Sequence, residues 1–124
     1  MSEFPSVWSN WFEIPVSNFE RAKNFYNTIF NMDMHVSDFE SLKMGVFPHA
    51  TTGCAIVKGK DYTPGEIGPV IYLNADPDLT TVQNKIEAAG GKIIQIKKLI
   101  SKEHGYMALF NDTEGNRLAL WSNK

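Results

Sequence analysis

Apolar and polar positions alternate along this chain in two matching rounds. Trp8 to Val16 (WSNWFEIPV) has the two-residue period of a strand. Trp8, Asn10, Phe12 and Ile14 share one face, and Ser9, Trp11, Glu13 and Pro15 the other. The period then lengthens. Phe19, Ala22, Phe25 or Tyr26, Ile29 and Phe30 recur at helical spacing, which predicts a helix over about Phe19 to Phe30. Ser17 or Asn18 can cap its start by accepting an orphan backbone N–H, and Asn31 can take the left-handed conformation that ends it. Three strand signals follow: Met32 to Val36, Glu40 to Phe47 with Leu42, Met44 and Val46 on one face, and Thr51 to Val57.

Lys58 to Gly68 (KGKDYTPGEIG) interrupts the pattern with glycine, proline and charge, as a linker does. The round then restarts. Pro69 to Ala75 reads as a strand, and Asp76 or Asp78 can cap a helix over about Leu79 to Ala89 that stops at Gly90-Gly91. Lys92 to Lys97 alternates, with Ile93 and Gln95 on one face and Ile94 and Ile96 on the other. The chain closes on a hairpin: Tyr106 to Phe110 (YMALF), a turn at Asp112 to Gly115, and a strand through Leu118, Ala119, Leu120 and Trp121.

The order is therefore β-α-β-β-β, a linker, and β-α-β-β-β again. A shift of about sixty residues places Phe19 on Leu79, Ala22 on Val82 and Tyr26 on Ile86. The fold class expected is α+β, with two βαβββ repeats forming a curved mixed sheet. Repeat one covers about 8–58, the linker about 59–68 and repeat two about 69–122, within a single domain. Helices on the convex side would leave a concave cleft lined by alternate strand residues.

Charge and cysteine content narrow the functional classes. The net charge of −2 argues against sequence-independent nucleic-acid binding, which needs clustered cations to neutralise phosphates. Lys97-Lys98 with Lys102 reads as a solvated edge. One cysteine, Cys54, permits no intrachain disulfide and fits a reducing, cytoplasmic setting. Met1 to Pro5 holds no apolar signal core, and no run approaches the roughly 18 apolar residues that span a bilayer.

Three stretches carry a family resemblance. Phe12 to Val16 (FEIPV) followed by Asn18-Phe19-Glu20-Arg21-Ala22-Lys23-Asn24-Phe25-Tyr26 looks like an opening strand and a D-x-x-R-A-x-x-F-Y helix, with Asn18 at the usual Asp. Phe110 to Asn116 looks like an F-x-D-P-x-G-N turn, with Thr113 at the usual Pro. Tyr72 to Asp76 precedes the second helix. In this order the chain resembles the vicinal oxygen chelate (VOC) superfamily, which contains glyoxalase I, bleomycin-resistance proteins and extradiol dioxygenases. The resemblance implies a divalent metal held by His, Glu or Gln on four strands, acting as a Lewis acid. Carried over residue by residue, those positions fall on Trp11, Val70, Ala119 and a residue near Cys54 or Ala55. Trp, Val and Ala cannot bind a metal. The expectation is the family's fold without its metal cofactor, and without glyoxalase I activity at that site.

Candidate chemistry then rests on a few side chains. Glu13 shares a face with Trp11, and a carboxylate in a partly apolar cleft can serve as acid or base. His104, at a strand entry, can titrate near neutral pH. Both are candidate catalytic residues, although each is also an ordinary strand or turn residue. His49 and His35 read as surface. Glu13, His49, Cys54 and His104 include metal-binding types, but no short ligand spacing supports a displaced site. Cys54, among small apolar neighbours, reads as a packed thiol more than a nucleophile. Trp11, Tyr72, Tyr106 and Trp121 can line a cleft and stack on a flat ligand. With Cys54, Val70 and Ala119 they make the candidate substrate-binding set. Two functions stay open: a metal-free protein binding a small organic ligand, and a lyase or isomerase using Glu13 or His104 on an oxygenated metabolite. An interaction module with a closed cleft is a third. The resemblance also implies a homodimer, which would cover exposed sheet edges.

Overall fold

The computed structural model describes residues 3–124; of the Met1 to Pro5 stretch, the first two residues lie outside that range. The elements run β1 (Trp11–Pro15), α1 (Phe19–Phe30), β2 (His35–Phe39), β3 (Leu42–Val46), β4 (Gly53–Lys58), β5 (Ile71–Asn74), α2 (Thr80–Ile86), β6 (Lys92–Ser101), β7 (Gly105–Asn111) and β8 (Arg117–Ser122). They form two four-stranded mixed sheets, ordered β1-β4-β3-β2 and β5-β8-β7-β6. In each sheet the first strand of the repeat runs parallel to the last, and the other pairs are antiparallel. The doubled βαβββ order expected from the sequence is the order observed.

Local chemistry sets the helix ends. Asn18 caps α1, its Oδ1 accepting the Arg21 N–H at 3.1 Å, and Asn31 closes it at φ 50°, ψ 55°. Helix α2 is shorter than expected. Its leading N–H groups are met by Ser122 Oγ, which accepts from Leu79, and by Asp78 Oδ1, which accepts from Thr80. Beyond Ile86 the chain relaxes into turns up to Gly90, at φ +107°. Strand β1 starts at Trp11, later than the alternation suggested, and Trp8 is 84 % exposed. Strand β6 is longer than expected and bulged in three places against β7. Lys97 is not a free surface cation: its Nζ lies 2.9 Å from Asp78 Oδ1 and 4.6 Å from the centre of the Tyr106 ring.

The helices cover the same side of both sheets. Phe25, Tyr26 and Ile29 of α1 and Ile86 of α2 share one core cluster with Ile14 and Ile56 of the first sheet and Leu73, Phe110, Leu118 and Leu120 of the second. A polar node also ties the repeats together. Asp112 is buried in the β7–β8 turn. Its Oδ1 accepts the N–H groups of Glu114 and Asn116, and its Oδ2 accepts from the Tyr26 hydroxyl at 2.7 Å and Asn116 Nδ2 at 3.0 Å. Asn116 Nδ2 also donates to the Pro15 carbonyl at 2.7 Å. The turn that the sequence marks so strongly is therefore a long-range junction as well as a local bend. Among the described residues, no helix is long and apolar enough to cross a membrane.

Candidate ligand-binding site

Strand alternation decides which side chains leave the core. Phe12 and Ile14 face the helices, so Trp11, Glu13 and Pro15 face away. Across the ladder Glu13 sits opposite Ala55, while Cys54 sits opposite Phe12 and joins the core. The second sheet repeats this. Leu73, Leu118 and Leu120 face the helices, and Tyr72, opposite Ala119, faces away with Trp121. The pairs Glu13–Ala55 and Tyr72–Ala119 are thus equivalent positions of the two repeats. In each, a small residue on the inner strand leaves the larger one uncovered.

Glu13 lines a cavity of about 530 Å³. Its walls are residues 13–15 of β1, linker residues 63–67, and Ile71 and Leu118 of the second sheet; Asn116 and Arg117 lie at the entrance to β8. Four bonds hold the linker over this space. The Tyr62 hydroxyl donates to Glu13 Oε1 at 2.5 Å, and Gly65 N–H to Asn116 Oδ1 at 2.9 Å. Asn111 Nδ2 donates to Glu66 Oε1 at 2.9 Å, and Arg117 Nη2 reaches the Gly68 carbonyl at 3.4 Å. Glu13 Oε2 accepts from Trp11 Nε1 at 3.2 Å, as two residues on one strand face can. The Tyr62 phenol is pushed up in pKa, first by its bond to Glu13. Glu13 is thus an oriented acceptor on a largely apolar wall, with lone pairs left for a ligand.

The other candidate residues are scattered. Cys54 and Tyr72 line a second cavity of about 420 Å³, with Phe12, Met32, Asn74 and His49. Burial pushes the Cys54 thiol up to about 12, as in a packed thiol and unlike an activated nucleophile. His49 Nδ1 is 2.8 Å from the Phe47 carbonyl and so carries the proton, and its ring meets Trp11 edge-on at 6.0 Å. His104 lines neither cavity. It sits in the β6–β7 turn, where its Nδ1 is 2.9 Å from Ser101 Oγ and its carbonyl accepts from Trp121 Nε1 at 2.6 Å. Tyr106 packs toward the core beneath Lys97, on the helix side of its sheet. Ala119 is fully buried, and Val70 immediately precedes β5. The structure brings Glu13 together with Tyr62, Asn116 and Arg117; the sequence reading named Asn116 only as the end of the turn motif and singled out neither Tyr62 nor Arg117. Arg117 had a signal, as the one charged residue in the closing apolar strand. Tyr62 had one too, as an aromatic residue inside a linker.

The donors at the carried-over metal positions do not form a ligand set. Trp11, Val70, Ala55 and Ala119 offer no lone pair, and the Cys54 sulfur turns toward the helices. Among the described residues, no three His, Cys, Asp or Glu side chains come together as a metal cage requires.

The model of the Glyoxalase/Bleomycin resistance protein/Dioxygenase superfamily matches residues 8–120, and the chain belongs to that family. Solved structures share the fold. A glyoxalase/bleomycin resistance protein from Streptomyces sp. CB03234 is 23 % identical with a TM-score of 0.72, over 93 % of this chain and 100 % of that one. A hypothetical protein from S. aureus is 20 % identical with a TM-score of 0.64, over 95 % of each chain. Glyoxalase I from Zea mays is 17 % identical with a TM-score of 0.69, over 92 % of this chain; the match spans 45 % of the maize enzyme. A search of curated proteins found no match.

Proposed function

We propose that this protein binds a small organic ligand in the cavity beside Glu13, without the metal of its family. The observation that carries the reading is the cavity itself: about 530 Å³ between the two sheets, with Pro15, Pro69 and Ile71 on its apolar wall and the Glu13 carboxylate held on its side by Tyr62. That is the size and composition of a small-molecule site. The missing donors at the carried-over positions support the metal-free part. Exposed apolar residues on the sheet faces turned away from the helices, Trp11 at 41 % and Tyr72 at 52 %, support a homodimer, and the single free cysteine suits a cytoplasmic setting.

Trp11 is bonded to Glu13, so its fluorescence reports on the site. A fragment library should contain compounds that shift this emission in the native chain and not in an Ile71→Trp variant, once its added emission is subtracted. A library whose hits bind both forms equally would refute the cavity as the site.

A second reading follows from the same carboxylate. Glu13, oriented by Tyr62, could move a proton in a lyase or isomerase reaction; His104 lies too far into its turn to share the cavity. A substrate turned over at the same rate by Glu13→Gln would refute it.

A further inference from the structure

The charges around the cavity restrict what it can hold. Arg117 Nε is buried and has no hydrogen-bond partner, and none of the ion pairs among the described residues uses this guanidinium. Its only bond shown is the 3.4 Å reach of Nη2 to the Gly68 carbonyl. Asn111 faces Arg117 across the β7–β8 ladder, and its Oδ1 is also buried without a partner. Of these two residues, Arg117 lines the cavity. Buried polar groups are ordinarily satisfied, so the Arg117 guanidinium stands out as a cavity-lining cation with no carboxylate paired to it among the described residues.

The rest of the wall carries opposite charge. Glu13 and Glu66 line the same cavity as Arg117, two carboxylates against one guanidinium. A simple anion would meet Arg117 but be repelled by the acids. A simple cation would meet the acids and leave Arg117 unanswered. We propose that the ligand is an amino-carboxylate with an apolar body. Its carboxylate sits on Arg117, its ammonium faces Glu13, and its side chain lies against Pro15 and Ile71. This rests on the cavity reading above and adds the ligand class. A planar carboxylate suits the guanidinium fork, and an ammonium suits the remaining lone pairs of Glu13.

The test titrates the full chain at low salt with leucine, methionine and phenylalanine. Each is compared with its deaminated acid and its decarboxylated amine, with calorimetry as the readout. At least one amino acid should bind ten-fold or more tightly than both of its analogues. Arg117→Gln should abolish the advantage over the amine and Glu13→Gln the advantage over the acid, while Arg117→Lys keeps part of it. Circular dichroism checks that each variant is folded, and Arg117→Lys carries the test if Arg117→Gln is not. Equal affinity for all three members of a series, no binding by any amino acid, or an advantage that survives both substitutions would overturn the proposal. A bridging water between Arg117 and Asn111 would produce such indifference. If 4-methyl-1-pentanol binds the native chain but not Ile71→Trp while the amino acids fail, the cavity reading stands and the ligand class falls. If that alcohol and every fragment also fail, both fall.

Discussion

Glu114 should be the residue whose charge most stabilises the contact between the two repeats. It lies in the β7–β8 turn, and its side chain is fully shielded from solvent. Its Oε1 accepts from Ser17 N–H and Oγ, each at 3.0 Å, from Asn18 N–H at 2.8 Å and from Arg21 Nη2 at 3.0 Å. Its Oε2 accepts from Arg21 Nε and Thr113 Oγ1, each at 2.8 Å. Five of these six bonds come from the start of α1, about 95 residues away in sequence, where a carboxylate also meets the positive helix end. Burial alone would push the carboxyl up, but the bonds from Arg21, Asn18, Thr113 and Ser17 outweigh it and hold it at about 2, from an ordinary 4.5.

That depression corresponds to about 3 kcal/mol at neutral pH. Solvent screening on the half-exposed Arg21 side trims it to about 2 kcal/mol. Because the folded-state pKa is lowered, the stabilisation is complete above 4.5 and lost as the pH falls from there toward 2. More than half should be gone by pH 3. Glu114→Gln should therefore lower the urea-unfolding free energy by about 2 kcal/mol at pH 7 and by less than about 1 kcal/mol at pH 3. The melting temperature at pH 7 should fall by roughly 6–10 °C. A loss under about 0.5 kcal/mol at pH 7, or one of equal size at both pH values, would refute the reasoning.

Two further outcomes test the packing. Gly105 sits at φ +76°, and a Cβ there would lie 2.5 Å from the Ser122 carbonyl oxygen, so Gly105→Ala should cost about 2 kcal/mol or more in urea unfolding; a change within about 0.5 kcal/mol would contradict the close approach. Cys54, its thiol raised to about 12 by burial, should resist a thiol reagent at pH 8 in the native chain and react once urea unfolds it; rapid labelling of the native chain would show that the sulfur is accessible.

Glu13 shows where the sequence reading was strong. Alternation alone put it on one face with Trp11 and Pro15, and the structure has them so. The helix caps were legible for the same reason, since Asn18 and Asn31 act on neighbours three or four residues away. Tyr106 shows the limit. The bulges in β6 shift the pairing along the edge of its sheet, and no local pattern reveals on which side an aromatic ring meets Lys97. His104 looked chemically apt but is spent in its own turn, because a titratable residue acquires a role only from what surrounds it.

The sequence by itself determined the elements, their order, the doubled repeat and the family, because periodicity, capping and turn chemistry act over a few residues. Tertiary structure alone decided the cavity and what lines it. The linker was legible only as a break in the pattern, yet Tyr62 reaches Glu13 from 49 residues away and Gly65 reaches Asn116 from 51. Arg117 meets the same cavity through the packing of one sheet beside the other. Such contacts join residues whose separation along the chain carries no period, so only the folded arrangement could bring a carboxylate and a guanidinium to one cavity.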